Sequence, residues 1–152
     1  TYPTRQELPL LAEAAQASLK EIGIEVDINN TLDVNEVAQD ASAWDVYAMA
    51  NVQAPTGDPE YWFRVFALSD SANNQGKYSN AQLDALDEQL SQEFDTAKRA
   101  DLAVQMQQIL LDDNAFVFCS FLKMSMISRS NVSNYTSHAC DYYQITADLD
   151  IE

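Results

Sequence analysis

The sequence has little positive charge and no long apolar run. Only 8 of its 152 residues are lysine or arginine, against 24 aspartates and glutamates, which gives a net charge of −16. A field of that sign repels phosphate backbones and anionic lipid surfaces, so nucleic acids and acidic membranes are poor candidates for partners. No stretch approaches the ~20 apolar residues that a bilayer-spanning helix needs, so the sequence predicts no membrane insertion.

Cysteine and histidine are almost as scarce. Cys119 and Cys140 form neither a close metal-binding pair nor a dense disulfide framework, and the sequence leaves open whether they pair with each other. Cys119 lies in an apolar run, which predicts a buried strand thiol. Histidine-dependent catalysis would have to use His138, beside Cys119 or between Ser137 and Asp141, but a solvent-facing histidine is the simpler prediction. We therefore predict no enzyme activity, no cofactor and no metal site.

The composition is nevertheless that of a folded protein. Hydrophobic residues make up 47% of the chain and the acidic residues are spread among them, which argues against disorder. A chain of this length forms one ordinary domain and buries about two thirds of the surface that its unfolded form exposes. No linker or internal repeat interrupts it, so residues 1–152 are predicted to form one unit.

Three segments carry apolar residues at three- and four-residue steps, the pattern of amphipathic helices, and a further helix is predicted between the first and second of these segments. Ser79 or Asn80 is expected to cap the third helix, and Asp95 or Thr96 the fourth, so that these two form an antiparallel hairpin. Gly23 is expected to end the first. The predicted helices cover about residues 7–22, 33–40, 80–94 and 96–112.

Other segments have the alternating or continuous apolar pattern of strands. Ile24, Val26 and Ile28 alternate with polar residues, and the run 45–50 suits a buried strand. Helices that alternate with strands predict an α/β fold with a sheet flanked by helices. The predicted strands cover residues 24–28, 45–50, 115–121 and 124–127, with a further extended segment within 142–151.

The loop 54–58 follows a predicted strand and enters an aromatic segment, a place where α/β proteins bind ligands. Two prolines restrict its backbone, and Gly57 permits a left-handed turn that brings backbone amides close to a ligand. Asp58 before Pro59 also has the pattern of a helix N-cap followed by proline at the first helical position. The loop is therefore either a binding loop or a plain strand-to-helix turn.

Several groups of residues occur together in a characteristic order and spacing. They are the helix-glycine-strand stretch 11–26, Trp44-Asp45 followed by 54–59, Tyr78-Ser79-Asn80 with Leu83-Asp84, and 98–102 leading into 107–110. In this order they resemble the C-terminal lobe of the extracellular solute-binding proteins of family 5, the peptide, nickel and opine receptors of ABC importers. The ending, 138–149, is similar to that of nickel-type members.

The resemblance implies the function and location of the protein. Residues 1–152 would form the C-terminal lobe of a two-lobe, periplasmic-binding-protein-like fold, with the other lobe absent from this sequence. The solute would be enclosed when the lobes close, and the complete receptor would deliver it to an ABC permease. The resemblance also implies an extracytoplasmic location, either periplasmic or as a cell-surface lipoprotein. One lobe alone carries half a site, so it is expected to bind weakly or not at all.

The solute expected from the resemblance is a nickel chelate, a peptide or another small organic molecule. Ala54 or Pro55 occupies the position where peptide receptors of the family have an aspartate for the peptide ammonium, and 68–71 lacks the histidine of some nickel receptors. The alternative function is an autonomous acidic protein-interaction domain in which the same loop docks a partner. The predicted ligand-binding residues are Gln53, Pro55, Thr56, Gly57, Asp58, Tyr61, Asn73 and Asn74.

Overall fold

Helices are the main regular elements of the computed structural model, which describes residues 1–123, 125–138 and 143–151. In the described residues no helix is both long enough and apolar enough to cross a bilayer. The elements in chain order are α1 (Glu7–Glu21), α2 (Val34–Gln39), α3 (Glu60–Trp62), which continues as a π-helical turn (Phe63–Ala67), α4 (Ala81–Leu90), α5 (Thr96–Asp112), β1 (Val132–Ser133) and β2 (Asp150–Ile151).

The four predicted helices are confirmed as α1, α2, α4 and α5. α1 ends at a left-handed glycine, since Gly23 has a φ of 84° and its N–H donates to the carbonyl of Lys20 at 3.1 Å. Asn80 caps α4, because its side-chain oxygen accepts hydrogen bonds from the N–H groups of Gln82 and Leu83. Asp95 caps α5 in the same way.

The third helix is shorter than predicted, because it ends at Leu90 and not at Phe94. One carboxylate oxygen of Glu93 accepts hydrogen bonds from the N–H groups of Phe94 and Asp95, both at 2.9 Å. This local bond favours a turn over another helical turn. Phe94 is consequently exposed and does not extend the apolar stripe of α4.

The hydrophobic core lies between α4, α5 and the π-helical turn. The two helices are antiparallel, since Asn80 before α4 donates to Asp113 after α5 at 2.8 Å, and the short connection 91–95 joins their other ends. Apolar side chains from both helices meet at this interface. The buried cluster consists of Phe63, Ala67, Leu68, Leu83, Leu86, Leu90, Ala103, Met106 and Leu110.

The predicted sheet flanked by helices is wrong for the described residues. β1 and β2 form an antiparallel pair in which Val132 lies opposite Ile151 and Ser133 opposite Asp150, while 24–28, 45–50, 115–121 and the described part of 124–127 are irregular. Alternation records which side chains share a face, but a strand also needs a neighbouring backbone with which to pair. The described residues supply that neighbour only for β1 and β2.

The prediction for Cys119 is also wrong. This residue is exposed, and its Sγ lies 3.6 Å from the carbonyl oxygen of Val117. The predicted strand 115–121 does not form, so no sheet packs over Cys119. Cys140, the other cysteine, lies outside the described residues.

Candidate functional site

The loop 54–58 is a tight turn that leads into α3. Gly57 adopts a φ of 83°, a conformation that glycine reaches without steric cost, and its N–H donates to the carbonyl of Ala54 at 3.0 Å. A carboxylate oxygen of Asp58 accepts a hydrogen bond from the N–H of Glu60 at 2.9 Å. The predicted left-handed glycine is therefore present. Asp58 bonds to the start of the helix, but α3 begins at Glu60, so Pro59 occupies the N-cap position and not the predicted first helical position.

A single arginine from α5 holds the end of this loop. The Nε and Nη2 atoms of Arg99 donate to the two carboxylate oxygens of Asp58 at 3.1 and 2.8 Å, and Nη2 also donates to Glu60 at 2.8 Å. The two parallel bonds to Asp58 form the planar, bidentate geometry that suits guanidinium and carboxylate. The loop is thus tied to the α4–α5 hairpin by a residue 41 positions further along the chain.

The ion pair shifts the pKa values of both partners in the direction that favours their charged forms. The hydrogen bond from Arg99 holds the pKa of Asp58 below its ordinary value, more strongly than partial burial raises it. The hydrogen bonds from Arg99 to Asp58 and then to Glu60 raise the pKa of the guanidinium in turn. Asp58 is therefore ionised near neutral pH, and both of its carboxylate oxygens accept hydrogen bonds from Arg99.

Sequence reasoning did not identify Arg99 as part of the site. A signal was nevertheless present, because Arg99 lies in the first turn of α5, where the positive end of the helix dipole disfavours a cation. A basic residue at such a position needs a compensating acid. The sequence does not show which of its 24 acidic residues supplies that charge.

Arg64 links α3 to α4 through two further ion pairs. Arg64 contacts Glu60 at 3.2 Å and the carboxylate of Asp87 in α4 at 3.4 Å. Asp87 is buried, and the burial raises its pKa, while Arg64 lowers it by a smaller amount. Glu60 therefore connects both arginines, and the start of α3 is linked to α4 as well as to α5.

Replacing Asp58 by asparagine is expected to lower the free energy of unfolding by about 1 kcal/mol at pH 7, because a partly exposed charged hydrogen bond is lost. Since the folded-state pKa of Asp58 is depressed, the stabilisation by the carboxylate is present above its ordinary pKa of 3.8 and is lost as the pH falls below that value. Urea unfolding at pH 7 and pH 3 measures the difference. Asp101→Asn, which removes the same charge from an exposed position of α5, is the control and should show little effect at either pH.

The predicted loop residues divide into an exposed group and a supporting group. Gln53, Thr56 and Gly57 are exposed, while Pro55 and Asp58 are half-buried. Tyr61 is exposed as well, at 41% of its surface. The exposed group presents an amide, a hydroxyl, a backbone turn and an aromatic ring to solvent.

The other aromatic residues of the segment pack inward. The Trp62 ring is in edge contact with Phe116, with centroids 5.1 Å apart, and it also contacts Phe118 at 5.7 Å. Phe63 is buried in the core, and Trp44 packs against Tyr47. Tyr61 is therefore the residue of the 61–63 run that is free to meet a ligand.

Asn73 and Asn74 lie in a different part of the surface. Asn74 is buried at 4% exposure, and its amide donates to the carbonyls of Leu68 and Tyr78 while its oxygen accepts from the N–H of Tyr78. These bonds hold the loop between the π-helical turn and α4. Asn73 is exposed and lines a depression of about 360 Å³ together with Ala38, Gln39, Ala72, Gln75 and Lys77, and no residue of 53–61 is in that lining.

Comparison with known proteins relates this chain to nickel-binding proteins. The nickel-binding protein NikA of Staphylococcus aureus is 30% identical over 135 residues, which cover 89% of this chain. The crystal structure of NikA from Staphylococcus aureus in complex with Ni(L-His)2 superposes with a TM-score of 0.78 and 26% identity over 99% of the chain. The chain is homologous to nickel-binding proteins of ABC transporters. No protein-family model matches it.

A second solved nickel homologue supports the same relationship. The nickel ABC transporter structure from Bacillus halodurans has a TM-score of 0.72 and 26% identity, again over 99% of the chain. The chain spans only 28% of the length of the curated NikA relative and 32% of each solved homologue. The resemblance seen in the sequence is thus confirmed for a part of these proteins. These homologues are a nickel-binding protein and a nickel ABC transporter.

Proposed function

We propose that the chain is the C-terminal lobe of an extracytoplasmic receptor that captures a nickel chelate for an ABC importer. The observation that carries the proposal is the 30% identity to a nickel-binding protein, together with a TM-score of 0.78 to a homologue solved with Ni(L-His)2. This similarity favours a receptor over an autonomous interaction domain. The complete receptor, and not this lobe alone, would engage the permease.

Surface features support a lobe that another part of a receptor covers. Val117, Phe121 and Ile127 expose 86%, 82% and 93% of their surface, although each is a large apolar residue. All three lie within residues 115–127, and large apolar side chains exposed in one stretch of chain suit a face that packs against another protein surface. The exposed loop 53–57 would then form one wall of a cleft, and the second lobe the other wall.

The exposed loop residues suit a chelated metal better than a free ion. A chelate such as Ni(L-His)2 surrounds the metal with its own nitrogen and oxygen ligands and presents carboxylates and rings outward. The amide of Gln53, the hydroxyl of Thr56 and the backbone of the turn can hydrogen-bond to such groups. Tyr61 can pack against a ring of the chelate. Asp58 would support the loop and leave the contacts with the solute to its neighbours.

Paramagnetic NMR of the isotope-labelled chain tests the proposal directly. The neutral complex Ni(L-His)2, added at millimolar concentration because one lobe carries half a site, is expected to broaden the backbone amides of Gln53, Thr56, Gly57 and Tyr61. The diamagnetic complex Zn(L-His)2 should leave the same signals sharp. The neutral complex with excess histidine also limits unspecific attraction of free nickel to a chain of net charge −16.

Two variants make the result specific. Tyr61→Ala is expected to reduce the broadening of the loop, while His138→Ala should leave it unchanged because His138 is not among the proposed contacts. Broadening that spreads evenly over acidic positions, or that disappears with His138→Ala, would contradict the proposal. The signal of Asn73 shows whether the separate depression belongs to the same binding surface.

A further inference from the structure

Arg99 uses every hydrogen-bond donor that an arginine side chain has. Nη1 donates to the carbonyl oxygens of Leu90 at 2.5 Å and Glu93 at 2.8 Å, and Nε and Nη2 supply the three bonds to Asp58 and Glu60. The side chain is only 16% exposed. A guanidinium has five N–H groups in a rigid, planar arrangement, so this site is complete without water or a further ligand.

The five bonds join two parts of the molecule, which the ion pair of Arg64 with Asp87 links a second time, beyond the start of α3. The carbonyls belong to the end of α4 and the connection to α5, while the carboxylates belong to the end of the loop and the start of α3. Within the loop, Pro55 and Pro59 have no N–H to donate, and the N–H of Gly57 bonds to Ala54 inside the same turn. The conformation of the loop thus depends on an anchor outside it.

We propose that Arg99 is a positioning residue. It holds the loop 54–58 in its binding conformation without itself contacting the solute. The inference rests on the proposed function insofar as the loop is taken to bind solute. A loop that is already ordered loses less conformational freedom on binding, so the anchor strengthens binding through preorganisation. Lysine cannot replace this arginine, because an ammonium group has three donors and no planar fork.

Hydrogen exchange of Arg99→Lys tests this role without any ligand. The amides of Gly57 in the loop and of Glu60 at the start of α3, together called the loop amides, report on the part that Arg99 holds. Those of Leu86 and Met106 report on the core of the hairpin. We expect exchange at the two loop amides to accelerate about tenfold, the effect of losing one charged hydrogen bond, with little change at the two core amides. Arg5→Lys makes the same chemical change at an exposed position and should alter neither pair.

Asp58→Asn provides a second variant that leaves the carbonyl bonds of Arg99 in place. It is expected to accelerate hydrogen exchange at the same two loop amides. Exchange in the double variant should be little faster than in either single variant, because both substitutions remove the same contact, that between Arg99 and Asp58. Equal acceleration at loop and core amides in these variants, or none at the loop, would overturn the proposal and leave Arg99 with a purely structural role.

Titration with Ni(L-His)2 separates this inference from the proposed function. In Arg99→Lys the broadening of the loop amides should require a severalfold higher concentration of the complex than in the wild-type chain. If the wild-type chain shows no selective broadening, the proposed function fails, whereas the exchange data still decide whether Arg99 orders the loop. If the variant binds as tightly as the wild type while its loop exchanges faster, the positioning role in binding is wrong.

Discussion

Replacing Leu83 with alanine is expected to lower the free energy of unfolding by about 2–5 kcal/mol, because it deletes buried methyl groups and leaves a cavity. Leu83 is fully buried in α4, in the cluster that also contains Met106 and Leu110 of α5. The helices face each other directly there, and α3 is tied to both, so the surrounding structure has little freedom to collapse into the space. Urea unfolding followed by circular dichroism measures the change.

Leu111→Ala is the matched control for this prediction. It makes the same substitution in α5, but Leu111 exposes 51% of its surface and lies outside the buried cluster. We expect a change of about 0.5 kcal/mol or less at this exposed position. Similar losses in the two variants would show that the hairpin interface is not the main source of stability.

Asn74→Ala is expected to reduce the free energy of unfolding by about 2–4 kcal/mol, because unsatisfied buried polar groups cost about 1–3 kcal/mol each. The variant removes the donor for the carbonyls of Leu68 and Tyr78 and the acceptor for the N–H of Tyr78. The two bonds with Tyr78 are only partly buried, so water can replace them in part and limit the loss. The same unfolding measurement, made without any solute, gives the result.

Asn73→Ala tests the same chemical change one residue earlier. Asn73 is exposed and its described hydrogen bond uses the backbone N–H, which the substitution keeps. Its stability should therefore remain within about 0.5 kcal/mol of the wild type. A small effect of Asn74→Ala, comparable with that of Asn73→Ala, would indicate that the loop before α4 does not need the buried amide.

Helices and their ends were predictable because the interactions that create them are local. The cap at Asn80, the cap at Asp95 and the left-handed Gly23 each involve residues within a few positions of one another. Strands were not predictable to the same degree. The pattern at 24–28 was correctly recognised as alternating, but pairing depends on a distant backbone that a local pattern does not identify.

For the candidate site, the sequence located the turn but not its support. The prolines and Gly57 predicted the loop, and the similarity to nickel-binding proteins agrees with the family that the ordered motifs suggested. The neighbouring asparagines were indistinguishable in the sequence, yet the structure buries Asn74 and exposes Asn73. Their different roles follow from the path of the loop around Tyr78 and not from residue type.

The sequence by itself determined the net negative charge, the positions of α1, α2, α4 and α5, and the resemblance to a solute receptor, because charge, periodicity and motif order are properties of the chain. Only the tertiary structure decided that Arg99 holds Asp58 and Glu60, across about 40 residues of chain. Many acids could have paired with that arginine. The packing of α4 against α5 selects these two, since it brings the start of α5 to the loop and leaves the guanidinium room for all five of its bonds.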